Sequence, residues 1–206
     1  MSFFDRNRKQ LAAVGIDPER LPPGQYHTDR FPVLHVGDVP TVDLSTWTLR
    51  IFGEVERDLT LSWDDLLALP ATDVITDIHC VTKWSRFDTA WRGVRLRDLY
   101  DLAGMKPTAK HLIEHAENGY TSNVPIEDTL GDNCLLAYQY DGAPLDPEHG
   151  YPARTLIPKL YLWKSVKWVR ALELSATDKP GFWERNGYHN YGDPFQGENG
   201  QRFWGD

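Results

Sequence analysis

Val74-Ile-Thr-Asp-Ile-His-Cys-Val-Thr-Lys-Trp-Ser-Arg86 is the stretch on which the reading of this chain turns. Residues 74–78 are β-branched and apolar enough for a strand, and that strand runs directly into His79-Cys80. The residues after the thiol are small, basic and aromatic. Lys83 and Arg86 lie close enough in sequence to favour the thiolate, which is the form that binds metals or attacks electrophiles. Taken by itself Cys80 reads equally as an inert core thiol, because free cysteine is among the most buried residue types. His79 reads as a neighbour that shapes the loop.

Upstream of this stretch, Trp47-Thr-Leu-Arg-Ile-Phe52 alternates as a half-buried strand does, and residues 59–61 form a second strand. Ser62, with Asp65 three residues on, predicts an N-cap for a helix over 63–69 that Pro70 stops. Downstream, Leu96, Leu99, Tyr100 and Ala103 recur at helical spacing, and Gly104 is placed to end that helix. Residues 111–115 and 135–140 read as strands, with Asp141-Gly142 as a tight turn. Residues 125–130 read as one helical turn, and 155–157 and 168–174 as late strands. A short helix around residues 8–14 and the break at Leu21-Pro-Pro-Gly24 mark 1–27 as an N-terminal extension. Residues 31–36 and 40–42 are apolar but broken by proline, so they are expected to lie extended over the core. From Gly181 the chain turns rich in Gly, Asn and aromatics, which predicts an irregular tail. The sum is a mixed, strand-dominated α+β fold in one domain over residues 28–206.

Composition narrows the function classes. In 206 residues, 41% are hydrophobic and 25% charged, which is ordinary for a globular chain. The net charge of −8 disfavours nucleic acid as a partner. No apolar run approaches the ~20 residues of a transmembrane segment, and the polar N-terminus has neither a signal core nor a twin-arginine pair, so a cytoplasmic protein is expected. The two cysteines, Cys80 and Cys134, are far apart, which leaves no room for a disulfide framework or a zinc site built on Cys pairs. Cys134 heads an apolar strand and reads as core. A cysteine that does chemistry here does so singly.

Three further stretches combine with the Cys80 loop. They are Trp91-Arg-Gly-Val-Arg-Leu-Arg-Asp-Leu99, His149-Gly-Tyr-Pro-Ala-Arg154 and Trp163-Lys-Ser-Val-Lys-Trp168. Arg for bidentate contact, Lys for charge and hydroxyl or backbone donors are the mixture that loops use to hold phosphate. Eight Trp and nine Tyr provide walls for a flat ring. Trp183, Tyr188 and Tyr191 read most simply as core or lid aromatics.

These residues resemble the molybdopterin-binding oxidoreductase domain shared by sulfite oxidase, assimilatory nitrate reductase and the bacterial protein-methionine-sulfoxide reductase catalytic subunit. The matching segments are Cys80-Val-Thr-Lys-Trp-Ser85, Trp91-Arg-Gly93, Ala137-Tyr138, Gly142-Ala-Pro-Leu145, His149 to Arg154, Ile157-Pro158 and Lys164 to Trp168, in the family's order. The Cys-Val-x-x-Trp-Ser form is closer to the sulfoxide reductase branch. The resemblance implies a molybdenum–molybdopterin cofactor without a nucleotide, with Cys80 as the metal ligand. It further implies that His149 and Arg154 bind the pterin and its phosphate, with Ser165, Val166 and Lys167 on the same group. Arg30 and Phe31 correspond to an early cofactor contact, and His115 or Ala116 to another. Lys83 and Arg86 are the basic residues expected near substrate; the arginine-rich oxyanion site of sulfite oxidase is not recognisable. The implied reaction is two-electron oxygen-atom transfer on a small sulfoxide or sulfite-like oxo substrate. A separate electron-transfer protein is expected, because the chain carries no heme, flavin or iron–sulfur motif and ends soon after the cofactor domain.

Two rivals remain at this level. A cysteine-nucleophile hydrolase or transferase would use Cys80 activated by a distant His such as His149. A non-catalytic pterin-binding domain would keep the fold without the metal; the intact set of Cys80, His149, Arg154 and Lys167 argues against it.

Overall fold

The computed structural model describes residues 3–205. Helix α1 (Phe3–Ala13) leads to a two-residue strand, β1 (Tyr26–His27). β2 (Thr48–Gly53), β3 (Leu59–Ser62) and α2 (Trp63–Ala68) follow, then the hairpin of β4 (Thr72–His79) and β5 (Trp84–Arg95), and α3 (Leu96–Ala103). The second half contains β6 (His111–Ala116), β7 (Thr121–Pro125), β8 (Leu135–Tyr140), β9 (Ala143–Pro144), β10 (Arg154–Leu156), β11 (Val169–Ser175) and the short α4 (Phe182–Arg185). The expected mixed, strand-dominated α+β architecture is what the chain adopts.

The strands form two sheets. One runs β3-β2-β11-β6-β7, with β2 and β11 parallel. The other runs β1-β5-β8-β10, with β4 paired to β5 and β9 to β8. β8 shows why its sequence is almost continuously apolar. Leu136 and Tyr138 join the large core shared with Leu49, Ile51, Leu112 and Leu172 of the first sheet. Leu135 and Ala137 face the other way, into a cluster with Trp84, Trp91, Tyr161 and Trp163. A strand buried on both faces loses its polar alternation.

Local signals account for the helix ends. Ser62 and Asp65 form a reciprocal capping box at the start of α2. Gly104 ends α3 in the left-handed conformation, φ 73°. Four strands lie outside the sequence expectation, the two-residue β1 and β9 and the longer β5 and β7. β5 occupies the stretch expected to be a loop after the cysteine, with buried Phe87, Thr89 and Trp91 alternating with the charged or small residues between them. β7 pairs with β6 at the sheet edge and carries little apolar pattern. At Gly93 the β5–β8 register shifts, and the strands approach so closely that a Cβ there would sit 2.2 Å from the Leu136 carbonyl oxygen.

The segment expected as an N-terminal extension is joined to this sheet. β1 pairs in parallel with the start of β5. Leu11 and Leu21 pack with Phe87 in a small cluster. Arg20 grips Asp77 bidentately, at 2.9 and 2.6 Å, with a further bond to Asp88.

Candidate active site

Cys80 stands at the tip of the β4–β5 hairpin. The turn is closed by the Lys83 N–H donating to the Cys80 carbonyl (3.0 Å) and the Cys80 N–H donating to Trp84 O (2.9 Å). Lys83 takes the left-handed position, φ 76°, that a bulged hairpin of this kind demands. Beneath the turn, Gln25 donates to the Cys80 carbonyl (3.2 Å) and accepts from Ser85 Oγ (2.6 Å), which also pairs with His79 Nδ1 at 2.8 Å. Gln25, Ser85 and His79 are all buried. His79 is thus held in this network, and burial pushes it down to about 4, so it stays neutral. Because lysine is disfavoured at positive φ, Lys83→Gly is expected to raise unfolding free energy by about 1 kcal/mol in urea denaturation; a fall would mean the Lys83 side chain contributes more than its backbone strain removes.

The thiol itself is buried, which pushes it up; the Thr82 hydroxyl and backbone amide, then Lys167 and Arg202, act in the opposite direction. Thr82 Oγ1 donates to Cys80 Sγ at 3.1 Å. Cys80 opens on a cavity of about 390 Å³, of the size that holds a small organic cofactor. Its lining combines an aromatic set, Trp163, Trp183 and Tyr188, with a polar and basic one, His149, Arg154, Ser165 and Lys167.

Among the basic residues, Phe31 stacks on His149 with centroids 4.0 Å apart and planes at 10°. The Arg154 guanidinium lies 6.0 Å from the Phe31 ring and 5.6 Å from that of Trp91. It donates to the carbonyls of His149 (3.0 Å) and Ser165 (2.9 Å), stitching the two cavity loops together. Lys167 Nζ reaches Leu34 O and Glu148 O, both at 2.7 Å. Gly150 permits this approach: at φ 116° it sits where a Cβ would be 3.1 Å from both Arg154 Cβ and Lys167 Cβ. Burial and neighbouring positive charge lower His149 to about 4, through Arg154 and Lys167, and Lys167 to about 7, through Arg154. Burial lowers Arg154 to about 10. No carboxylate lines the cavity among the described residues, so its basic groups face one another and suit an anion.

Behind this wall lies a buried polar knot. Lys164, 0% exposed, pairs with Glu184 at 2.5 Å and donates to Asn123 O (2.8 Å) and Asn190 O (2.7 Å). Glu184 also accepts from Trp163 Nε1 at 2.9 Å. Glu114 lies in the same region, fully buried and pushed up to about 8 by desolvation, so it is held protonated at neutral pH.

The cavity gathers Phe31, Cys80, His149, Arg154, Ser165, Val166 and Lys167. Four other expected site residues do not line it. Arg30 is exposed and only its neighbour Phe31 turns inward. Lys83 occupies the bulge position, and Thr82 takes the cavity side of the turn. Arg86 is paired with Asp141 (3.2 Å) and lies over the Tyr140 ring. His115 bonds Glu173 at 3.1 Å, because strand alternation turns Glu114 into the interior and His115 away from it. Asn118 and Tyr120, beyond the end of β6, reach the cavity in its place. Gln25, Asn118 and Tyr120 carried no sequence signal; Thr82 and Trp84 lay inside the motif.

The residues fit a phosphate-bearing pterin with its metal. The protein offers one soft thiolate donor, which suits a metal that arrives with its other ligands. Trp84 lines the cavity with its indole N–H buried and without a hydrogen-bond partner among the described residues, a donor suited to a polar ligand edge.

Comparison with known proteins agrees. Residues 36–183 match the family described as oxidoreductase molybdopterin binding domain. The uncharacterized oxidoreductase YuiH of Bacillus subtilis (strain 168) is 50% identical over 180 residues, which are 87% of this chain and 91% of that protein. The protein-methionine-sulfoxide reductase catalytic subunit of Campylobacter jejuni is 28% identical over 71% of this chain and 54% of its own. Among solved structures, the sulfane dehydrogenase SoxCD of Paracoccus pantotrophus superposes with a TM-score of 0.66 at 26% identity, over 75% of this chain and 44% of that one. The chain belongs to the molybdopterin-binding oxidoreductase family and is an oxidoreductase of the sulfite oxidase type.

Proposed function

We infer that this protein holds a nucleotide-free molybdenum–pterin through Cys80, His149, Arg154, Ser165, Val166 and Lys167, and acts on a small sulfoxide. The observation that carries this is the convergence on one cavity of a single thiol and a set of basic groups, with no lining carboxylate among the described residues. When bound, such a cofactor supplies two-electron oxygen-atom transfer. The chain's own residues bind and orient. Arg154 presents positive charge to the cofactor phosphate, Lys167 adds an amine donor beside it, and neutral His149 offers a ring nitrogen to the pterin edge. Trp163, Trp183 and Tyr188 form an apolar wall beside Cys80 that suits the organic groups on a sulfoxide sulfur better than the bare oxyanion sulfite. Lys83 and Arg86, expected to draw an oxyanion, lie off that wall. Electrons are exchanged with a separate electron-transfer protein, in keeping with a relative named as a catalytic subunit.

The test is turnover of loaded protein with a chemical electron donor on an aryl methyl sulfoxide, against turnover of sulfite with a chemical acceptor. At least a tenfold higher kcat/KM for the sulfoxide is expected, the scale a hydrophobic pocket provides. Preference for sulfite overturns the substrate assignment; protein without molybdenum or pterin overturns the site.

A further inference from the structure

Among the described residues, Thr82 is the one whose side chain the structure brings to Cys80 Sγ with a hydroxyl in donating geometry, at 3.1 Å. The contact follows from the turn. Cys80 and Lys83 close the hairpin through the Lys83 N–H and the Cys80 carbonyl, and Gln25 holds that carbonyl from below, so the Cys80 main chain is fixed independently of its sulfur. Thr82 follows two residues later, in the relation by which a side-chain acceptor at the start of a turn meets groups of the third residue. Thr82 is exposed at the cavity mouth, so its hydroxyl is not needed to fill the core, and the buried Gln25–Ser85–His79 network below does not involve it.

A hydrogen bond onto a thiolate withdraws electron density from sulfur. A metal bound to that sulfur then receives less donation, and its oxidised state is less stabilised relative to the reduced one. We propose that Thr82 is a positioning residue that sets the donor strength of Cys80 through this hydrogen bond and so keeps the reduction potential of the bound molybdenum high. This rests on the reading of Cys80 as the metal ligand. It makes no demand on the substrate, and distinguishes Thr82, which hydrogen-bonds the sulfur, from Lys167, which acts on it through charge. The β-branched methyl of Thr82 restricts the rotamers of the hydroxyl, a reason for threonine over serine in an exposed turn.

The test is an electron paramagnetic resonance redox titration of molybdenum-loaded wild type, Thr82→Val, Thr82→Ala and Thr82→Ser, with metal content measured on each sample. Thr82→Val preserves shape and removes the donor. The expected result is a lower molybdenum potential in Thr82→Val and Thr82→Ala, at unchanged molybdenum per chain, with the sulfur-to-metal charge-transfer band moved to lower energy. Thr82→Ser is expected to restore most of both. Unmoved potentials and bands in Thr82→Val and Thr82→Ala overturn the proposal while leaving the site intact, and so does a serine variant that behaves like valine. Wild type that carries no molybdenum overturns both.

Discussion

Cys80→Ser protein, produced in a molybdenum-competent host, is expected to carry at least about tenfold less molybdenum than the near-stoichiometric wild type while keeping its fold. Losing a supporting group around a metal typically weakens binding 10–100-fold, and loss of the ligand itself belongs at the upper end or beyond. A serine oxygen is harder and more basic than a thiolate, so whatever metal stays is held in an altered electronic environment. The fold should survive because the hairpin is fixed by main-chain bonds of Cys80 with Lys83, Trp84 and Gln25, none of which uses the sulfur. Thermal unfolding of the two metal-free proteins should therefore agree to within about 2 °C, the scale of a sub-kcal/mol change in a chain of this size. Elemental analysis by mass spectrometry reads the first quantity and calorimetry the second. Equal molybdenum in both proteins would remove Cys80 from the metal. No molybdenum in either would bring forward the cysteine-nucleophile reading, which the site otherwise disfavours: burial pushes the Cys80 thiol up and lowers His149 to about 4, so neither the thiolate nor the imidazolium of such a pair is favoured.

How much of this was legible in the sequence depends on what kind of signal each residue leaves. The strands at residues 47–52 and 135–140 and the helix from Leu96 to Gly104 announce themselves through periodicity and caps, and they are found within a residue or so of expectation. β5 has its signal too, in Phe87, Thr89 and Trp91 at every second position, but Lys83, Arg86 and Arg92 on either side of that run resemble a basic cofactor loop. β7 could not have been found this way, since Thr121-Ser-Asn-Val-Pro125 is recruited by pairing with β6 and not by its own pattern. The site divides similarly. Cys80, His149, Arg154 and Lys167 stand in ordered motifs, so resemblance brought them together. Gln25, Asn118 and Tyr120 reach the site only through the fold: β1 docks on β5, and the turn after β6 meets the cavity. The two residues of the basic motif that look most alike, Lys164 and Lys167, are separated by burial alone. One faces the cavity, and the other is shut inside.

That difference sets the last expected result. Lys164→Met is expected to lower unfolding free energy by about 3–5 kcal/mol and the melting temperature by roughly 10 °C, at 2–4 °C per kcal/mol for a chain of this length. Lys164 and Glu184 are 0% and 1% exposed and 2.5 Å apart. The lysine also satisfies carbonyls of Asn123 and Asn190, so its loss strands a buried carboxylate and two acceptors at once. Burial lowers the lysine, and the contact with Glu184 acts in the opposite direction. Removing both charges should be milder than removing one, because a buried pair replaced by apolar groups leaves nothing unpaired. Lys164→Met/Glu184→Leu is therefore expected to recover at least half of the loss, less what the Trp163 indole forfeits with its acceptor. A double variant no more stable than Lys164→Met would mean that the carbonyl contacts, and not the ion pair, dominate the knot. The same knot ties β7, α4 and the tail to the segment that carries Trp163, Ser165 and Lys167 into the cavity. The single variant should thus release its cofactor faster on dialysis than wild type, although Lys164 does not line the cavity.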